Sequence, residues 1–225
     1  MNLTQKKCQL CSKFSSRLKK LLIRLGFGVV CECIHWLTNE SEQRVPEFNS
    51  QAPDCVCEKH KANKYSPGTV ENAEQITLFV FQPMHDIDKN GNAKPRIFSH
   101  ISVKGRSVQR DTIATNNEFF NFVQNFLDDK NDRAWKGVLL AKCDIVRNIL
   151  IENSDKRSVC IYDTAEKENP AHAEIFRTQH IISEADNIEL RRKLLAAFGN
   201  GNIIQPNHYR QGTIWNNLSR EIQTR

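Results

Sequence analysis

With 225 residues, a formal charge of +6 and a mean hydropathy of −0.55, the chain is long enough for one sizeable domain, or for a small module and a domain. Twelve Phe and three Trp within 39% apolar residues exclude the disordered class, which lacks large side chains. The positive excess is too small to define a nucleic-acid binder by itself, and no run of about 18 apolar residues offers a membrane span.

Residues 4 to 25 carry Leu10, Phe14, Leu18, Leu21, Leu22 and Leu25 at spacings of three and four. That period predicts a helix with one apolar face, with Lys13, Arg17, Lys20 and Arg24 largely opposite and Gly26 and Gly28 ending it. Leu21 to Cys33 follows Lys19 and Lys20 as the core of a signal peptide would. Arg24 interrupts it, however, and Val29-Val30 is no small-residue cleavage pattern, so the expected address is the cytoplasm. Residues 38 to 75 are polar and punctuated by Pro46, Pro53 and Pro67; such a stretch folds only if something pins it.

The cysteines suggest a pin. Six of the eight fall in three groups: Cys8 and Cys11, then Cys31, Cys33 and His35, then Cys55, Cys57 and His60. In a reducing compartment clustered thiols favour metal over disulfides, and zinc takes four thiolate or imidazole ligands. Structural zinc is therefore the expected cofactor, with these eight residues as ligands for one or two ions. Full coordination by such ligands leaves no open position for catalysis.

From Gln75 the pattern changes. Ile76 to Phe81 predicts a buried strand and Ile97 to Val103 a second, joined as a hairpin through the polar turn Asp86 to Pro95. Glu118 to Leu127 predicts a helix with Phe119, Phe122, Val123 and Phe126 inward and Asn116 or Asn117 as N-cap. Gly137 to Val146 and Arg157 to Tyr162 read as central strands, with Cys143 and Cys160 as core. Glu184 to Phe198 reads as a helix with Ile188, Leu190, Leu194, Leu195 and Phe198 inward, and a short helix is expected near Trp215 to Ile222. Strands and helices without strict alternation predict an α+β fold. The expected organisation is a basic helix with a zinc-pinned segment over residues 1–72, then a mixed strand and helix domain over 73–225.

Three further motifs bear on function. His172-Ala-Glu174 resembles the zinc-ligand and proton-shuttle motif of cytidine deaminases, but the cysteine pair that family needs downstream is missing, since no cysteine follows Cys160. Asp86-x-Asp88-x-Asn90-Gly91 copies the start of a calcium loop, yet the twelfth position is Ile97, so a turn built on Asp and Asn side chains explains it better. Lys104 to Asp111 gathers three basic residues around Gly105, where Arg106 and Arg110 could hold an anion. These readings give two expectations. The first is a zinc-stabilised protein that binds a protein or nucleic-acid partner within a multi-protein assembly of bacterial type, with residues 6 to 24 as the nucleic-acid contact. The alternative is a hydrolase or transferase with Asp163, His172 and Glu174 as acid/base residues and Arg106 and Arg110 on an anionic substrate.

Overall fold

A computed structural model describes residues 43–128 and 132–206. The helix expected at 4 to 25, the residues Cys8, Cys11, Cys31, Cys33 and His35, and the helix expected near 215 to 222 lie outside that range. The elements in chain order are α1 (Arg44–Gln51), β1 (Gln75–Gln82), a 3₁₀ segment (Pro95–Ser102), β2 (Arg106–Arg110), α2 (Asn116–Asp128), β3 (Ala134–Lys142), α3 (Cys143–Arg147), β4 (Val159–Asp163), β5 (His172–Arg177) and α4 (Glu184–Ala197). The five strands form one sheet in the order β3-β1-β2-β5-β4, with every neighbouring pair antiparallel. The α+β class expected from the sequence is therefore what forms.

β1 (QITLFVFQ) has six consecutive buried residues, because both faces of the sheet are covered. Successive side chains of a strand point to opposite faces. Ile76, Leu78 and Val80 thus join Val108, Ala173 and Ile175 in the largest core, beneath Leu190, Leu194 and Phe198 around α4. Phe79 and Phe81 point the other way, to Phe119, Val123 and Trp135, under α2. On that second face α1 covers the far strands, packing Val45 and Phe48 on Cys160, Tyr162 and Phe176. Residues 45–62, placed by sequence in the first unit, thus share an apolar cluster with β4 and β5.

Several local expectations change: the two strands expected as central, β3 and β4, stand at the edges of the sheet, and Cys143 to Val146 belong to α3 instead of continuing β3. Ile97 to Val103 is not a strand: Pro95 opens a 3₁₀ segment whose Ile97, Phe98 and Ile101 are buried at helical spacing. The hairpin is replaced by pairing of β1 with β2 and β3, so the basic segment at 104 to 111 contains a strand. The turn itself forms on Asp88, whose Oδ1 accepts the backbone N–H of Asn90 and Asn92. Helix α2 is capped by Thr115, not by Asn116 or Asn117. The Thr115 hydroxyl accepts the Glu118 N–H, and the Glu118 carboxylate accepts the Thr115 N–H at 2.6 Å, a reciprocal capping box. Helix α4 begins with the same device on Ser183 and Asp186. It buries Leu190 and Leu194 as expected and leaves Ile188 exposed.

Candidate functional site

The zinc cluster requires correction. Cys55 is joined by a disulfide to Cys160, 105 residues away, and a sulfur in that bond has no thiolate to offer a metal. Cys57 is buried in the apolar cluster beside Phe48 and Tyr162, and the His60 N–H closes a turn on the Cys57 carbonyl. Among the described residues no group of three or more His, Cys, Asp or Glu side chains is placed to hold a metal. What pins the polar stretch after α1 is the disulfide and a set of ion pairs.

Strand register decides where the other candidates stand. Arg106 lies opposite Ile175, Val108 opposite Ala173, and Asp163 opposite Ala173 on the other side, so Arg106, Arg110 and Asp163 project to the α4 face. Gln109 lies opposite His172, and Ser107 and Tyr162 lie opposite Glu174 on either side. These project to the face of α1 and α2. The sheet brings His172 and Glu174 together and holds Asp163, Arg106 and Arg110 away from them.

On the α4 face, Arg110 is consumed by structure. Its guanidinium takes both Glu74 carboxylate oxygens at 2.8 and 2.7 Å, and also donates to the carbonyls of Gly68 and Thr69. Asp163 lies 3.6 Å from it and accepts the Ala62 N–H at 2.6 Å and the Ser66 hydroxyl. Arg106 is buried, and among the described residues no carboxylate lies within ion-pairing distance of it. Its Nη2 lies 2.7 Å from His85 Nε2, and burial lowers the guanidinium to about 10. His85 Nδ1 accepts the Phe81 N–H, and burial, with Arg106 and His100 close by, pushes the imidazole down to about 3. His85 also lines an open cleft of ≈ 490 Å³ with Gln82, Asp86 and Asp132, whose walls include none of the residues expected as zinc ligands, acid/base groups or anion-binding arginines.

The other face carries a polar lane between two aromatic clusters. One row across the sheet reads Thr77, Gln109 and His172, with Thr164 beside it; the adjacent row contains Ser107, Glu174 and Tyr162. Thr164 steers the histidine, its Oγ1 lying 2.9 Å from His172 Nδ1. Arg44 at the start of α1 reaches across to bind Glu174 Oε1 and the Lys104 carbonyl. Glu174 Oε2 and Gln109 Nε2 are buried with no hydrogen-bond partner among the described residues. Burial raises the Glu174 carboxyl above the ordinary glutamate range, against the opposing pull of His172 and Arg44. Ser107 is exposed although its strand is central, so the lane is open to solvent at that point.

Sequence reasoning missed Ser107, Gln109 and Arg44. The alternation Arg-Ser-Val-Gln-Arg over 106–110 contained the signal for the first two, once read as a strand instead of a loop. Arg44, from a segment 130 residues before Glu174, left none. No family model, curated protein or solved structure matches this chain.

Proposed function

We propose that the protein is a hydrolase or transferase whose acid/base groups are Glu174 and His172, working on a substrate that enters over Ser107. The observation that carries this reading is Glu174 Oε2, a buried carboxyl oxygen with no partner among the described residues, in a group whose other oxygen is held by Arg44. An acceptor left in that state costs about 1–3 kcal/mol, and carboxyls perturbed by burial beside a charge partner concentrate at functional sites. Burial raises the Glu174 carboxyl above the ordinary glutamate range, which suits it to donate a proton to a departing group. His172, oriented through Nδ1 by Thr164, offers Nε2 as the complementary base. Gln109 Nε2 supplies a donor for a substrate oxygen. Arg106, Arg110 and Asp163 take no part, because the sheet stands between them and this pair. The test is a screen of chromogenic ester, amide, phosphate-ester and glycoside substrates with wild type, Glu174→Gln and His172→Gln. One class should be turned over by wild type and lowered about 10²–10⁴-fold in both variants. Wild type and variants indistinguishable on every class would end the proposal.

Partner binding, the first expectation from the sequence, ranks behind this reading. It rested on a zinc-pinned segment, corrected above, and on residues 6 to 24, which lie outside the described range. Among the described residues no helix is long and apolar enough to cross a membrane. The cytoplasm remains the proposed address, and its thiol pool would act on the Cys55–Cys160 bond.

A further inference from the structure

We propose that the Cys55–Cys160 disulfide is a redox latch that decides whether residues 53–66 stay fastened along the outer edge of β4. This inference goes beyond the acid/base reading and does not depend on it. Residues 53–66 form neither helix nor strand, yet they run along the outer edge of β4, the last strand of the sheet. The Glu58 carboxylate accepts the outward N–H of Ile161 and is itself held by both Arg157 nitrogens at 2.7 Å and by Arg147. The Ala62 N–H and the Ser66 hydroxyl end on Asp163, and Asn63 Nδ2 on the Ala165 carbonyl. Most of these are side-chain contacts, partly or fully buried, made by a segment outside any helix or strand, which adds Cys55, Val56, Cys57 and Ala62 to the apolar cluster under α1. Segments held this way open at the low end of the stability range.

The turn that carries the tether has Asp54 and Cys55 at φ 57 and 58, a left-handed conformation that side-chain-bearing residues avoid, and Asp54 Oδ1 is also held by Gln179 and His180. The exchange step balances simply. A dithiol reductant attacks Cys55 Sγ, the less buried sulfur, and Cys160 leaves as a thiolate and takes a proton. The reductant's second thiolate then displaces Cys55 and closes its own disulfide, so the protein gains two electrons and two protons. Opening would release the Ile161 N–H from Glu58 and free residues 53–66 from the edge of β4.

The experiment uses the full chain, oxidised or treated with excess dithiothreitol, with thiols counted to establish the state of the bond. Trypsin cleavage at Lys59, Lys61 and Lys64 and amide exchange at Ile161 should both speed up by about tenfold or more on reduction, while Leu78 and Leu139 in β1 and β3 keep their protection. Cys55→Ser, which leaves the buried Cys160 in place, should behave like the reduced wild type whether or not reductant is present. An opened bond with unchanged cleavage and exchange would overturn the latch. So would Leu78 and Leu139 accelerating in step with Ile161, since the bond would then hold the whole fold and not one segment.

Discussion

Arg110 is 2% exposed, and its guanidinium contacts all lie on the chain before β1 or on β4. A buried guanidinium is tolerable only when its donors and its charge are matched together. Arg110→Ala should therefore destabilise by about 3–5 kcal/mol in urea unfolding, because the buried carboxyl groups of Glu74 and Asp163 would lose the guanidinium that faces them. Arg110→Met combined with Glu74→Leu should recover much of that loss, which identifies the pair as costly to break but not itself a large source of stability. His85 makes a prediction about pH. Its imidazole, facing Arg106 and His100, is depressed to about 3, whereas an unfolded histidine binds its proton near 6.5. Between those values the unfolded chain holds the extra proton, so stability is present above about 6.5 and is lost as pH falls towards 3. The slope should approach about 1.4 kcal/mol per pH unit, and His85→Gln should flatten it in unfolding curves taken from pH 4 to 7.

At the scale of elements, what could be read from the sequence was what depends on neighbours along the chain. β1 announced itself through a run of β-branched and aromatic residues, and α4 through its leucine spacing. Ile97 to Val103 failed because Ile97, Phe98 and Ile101 fit a short helical turn as well as a strand, and only Pro95 distinguishes the two. Strand β5 is hard to read from sequence because it is buried on both faces while two of its buried positions are the polar residues His172 and Glu174. One glycine secures the exposed side of β3. Gly137 has φ +129, and a Cβ there would stand 2.1 Å from the Ile204 carbonyl oxygen, where Val138 and Ile204 exchange both backbone hydrogen bonds. Gly137→Ala should push residues 203–204 away and cost about 1–3 kcal/mol, with the Ile204 amide losing its protection from exchange.

For the whole molecule, the decisive facts are ones that spacing cannot encode. The pairing of Cys55 with Cys160 links positions whose sequence neighbours suggested metal knuckles, and the assumption of a reducing compartment turned the reading further from a disulfide. The division of the candidate residues between two faces follows from register, which is fixed by distant strands. His172 and Glu174 were recoverable as a pair because they sit two apart on one strand. Asp163 was grouped with them only by closeness along the chain.

The strand order also bears on how the molecule comes into being. β2 lies between β1 and β5, and its registered partners on β5, Glu174 and Ile175, are made long after Arg106 and Ser107. A ribosome working from the N-terminus must therefore deliver the chain almost to Arg177 before the centre of the sheet can close. Until then Ile76, Leu78, Val80 and Val108 wait on a face that α4 has yet to cover. Non-local pairing of this kind is slow, and such waiting chains are prone to aggregate. A chain halted near residue 150 should have no independent fold to fall back on, and newly made copies would be prime clients for chaperones that shield nascent polypeptides.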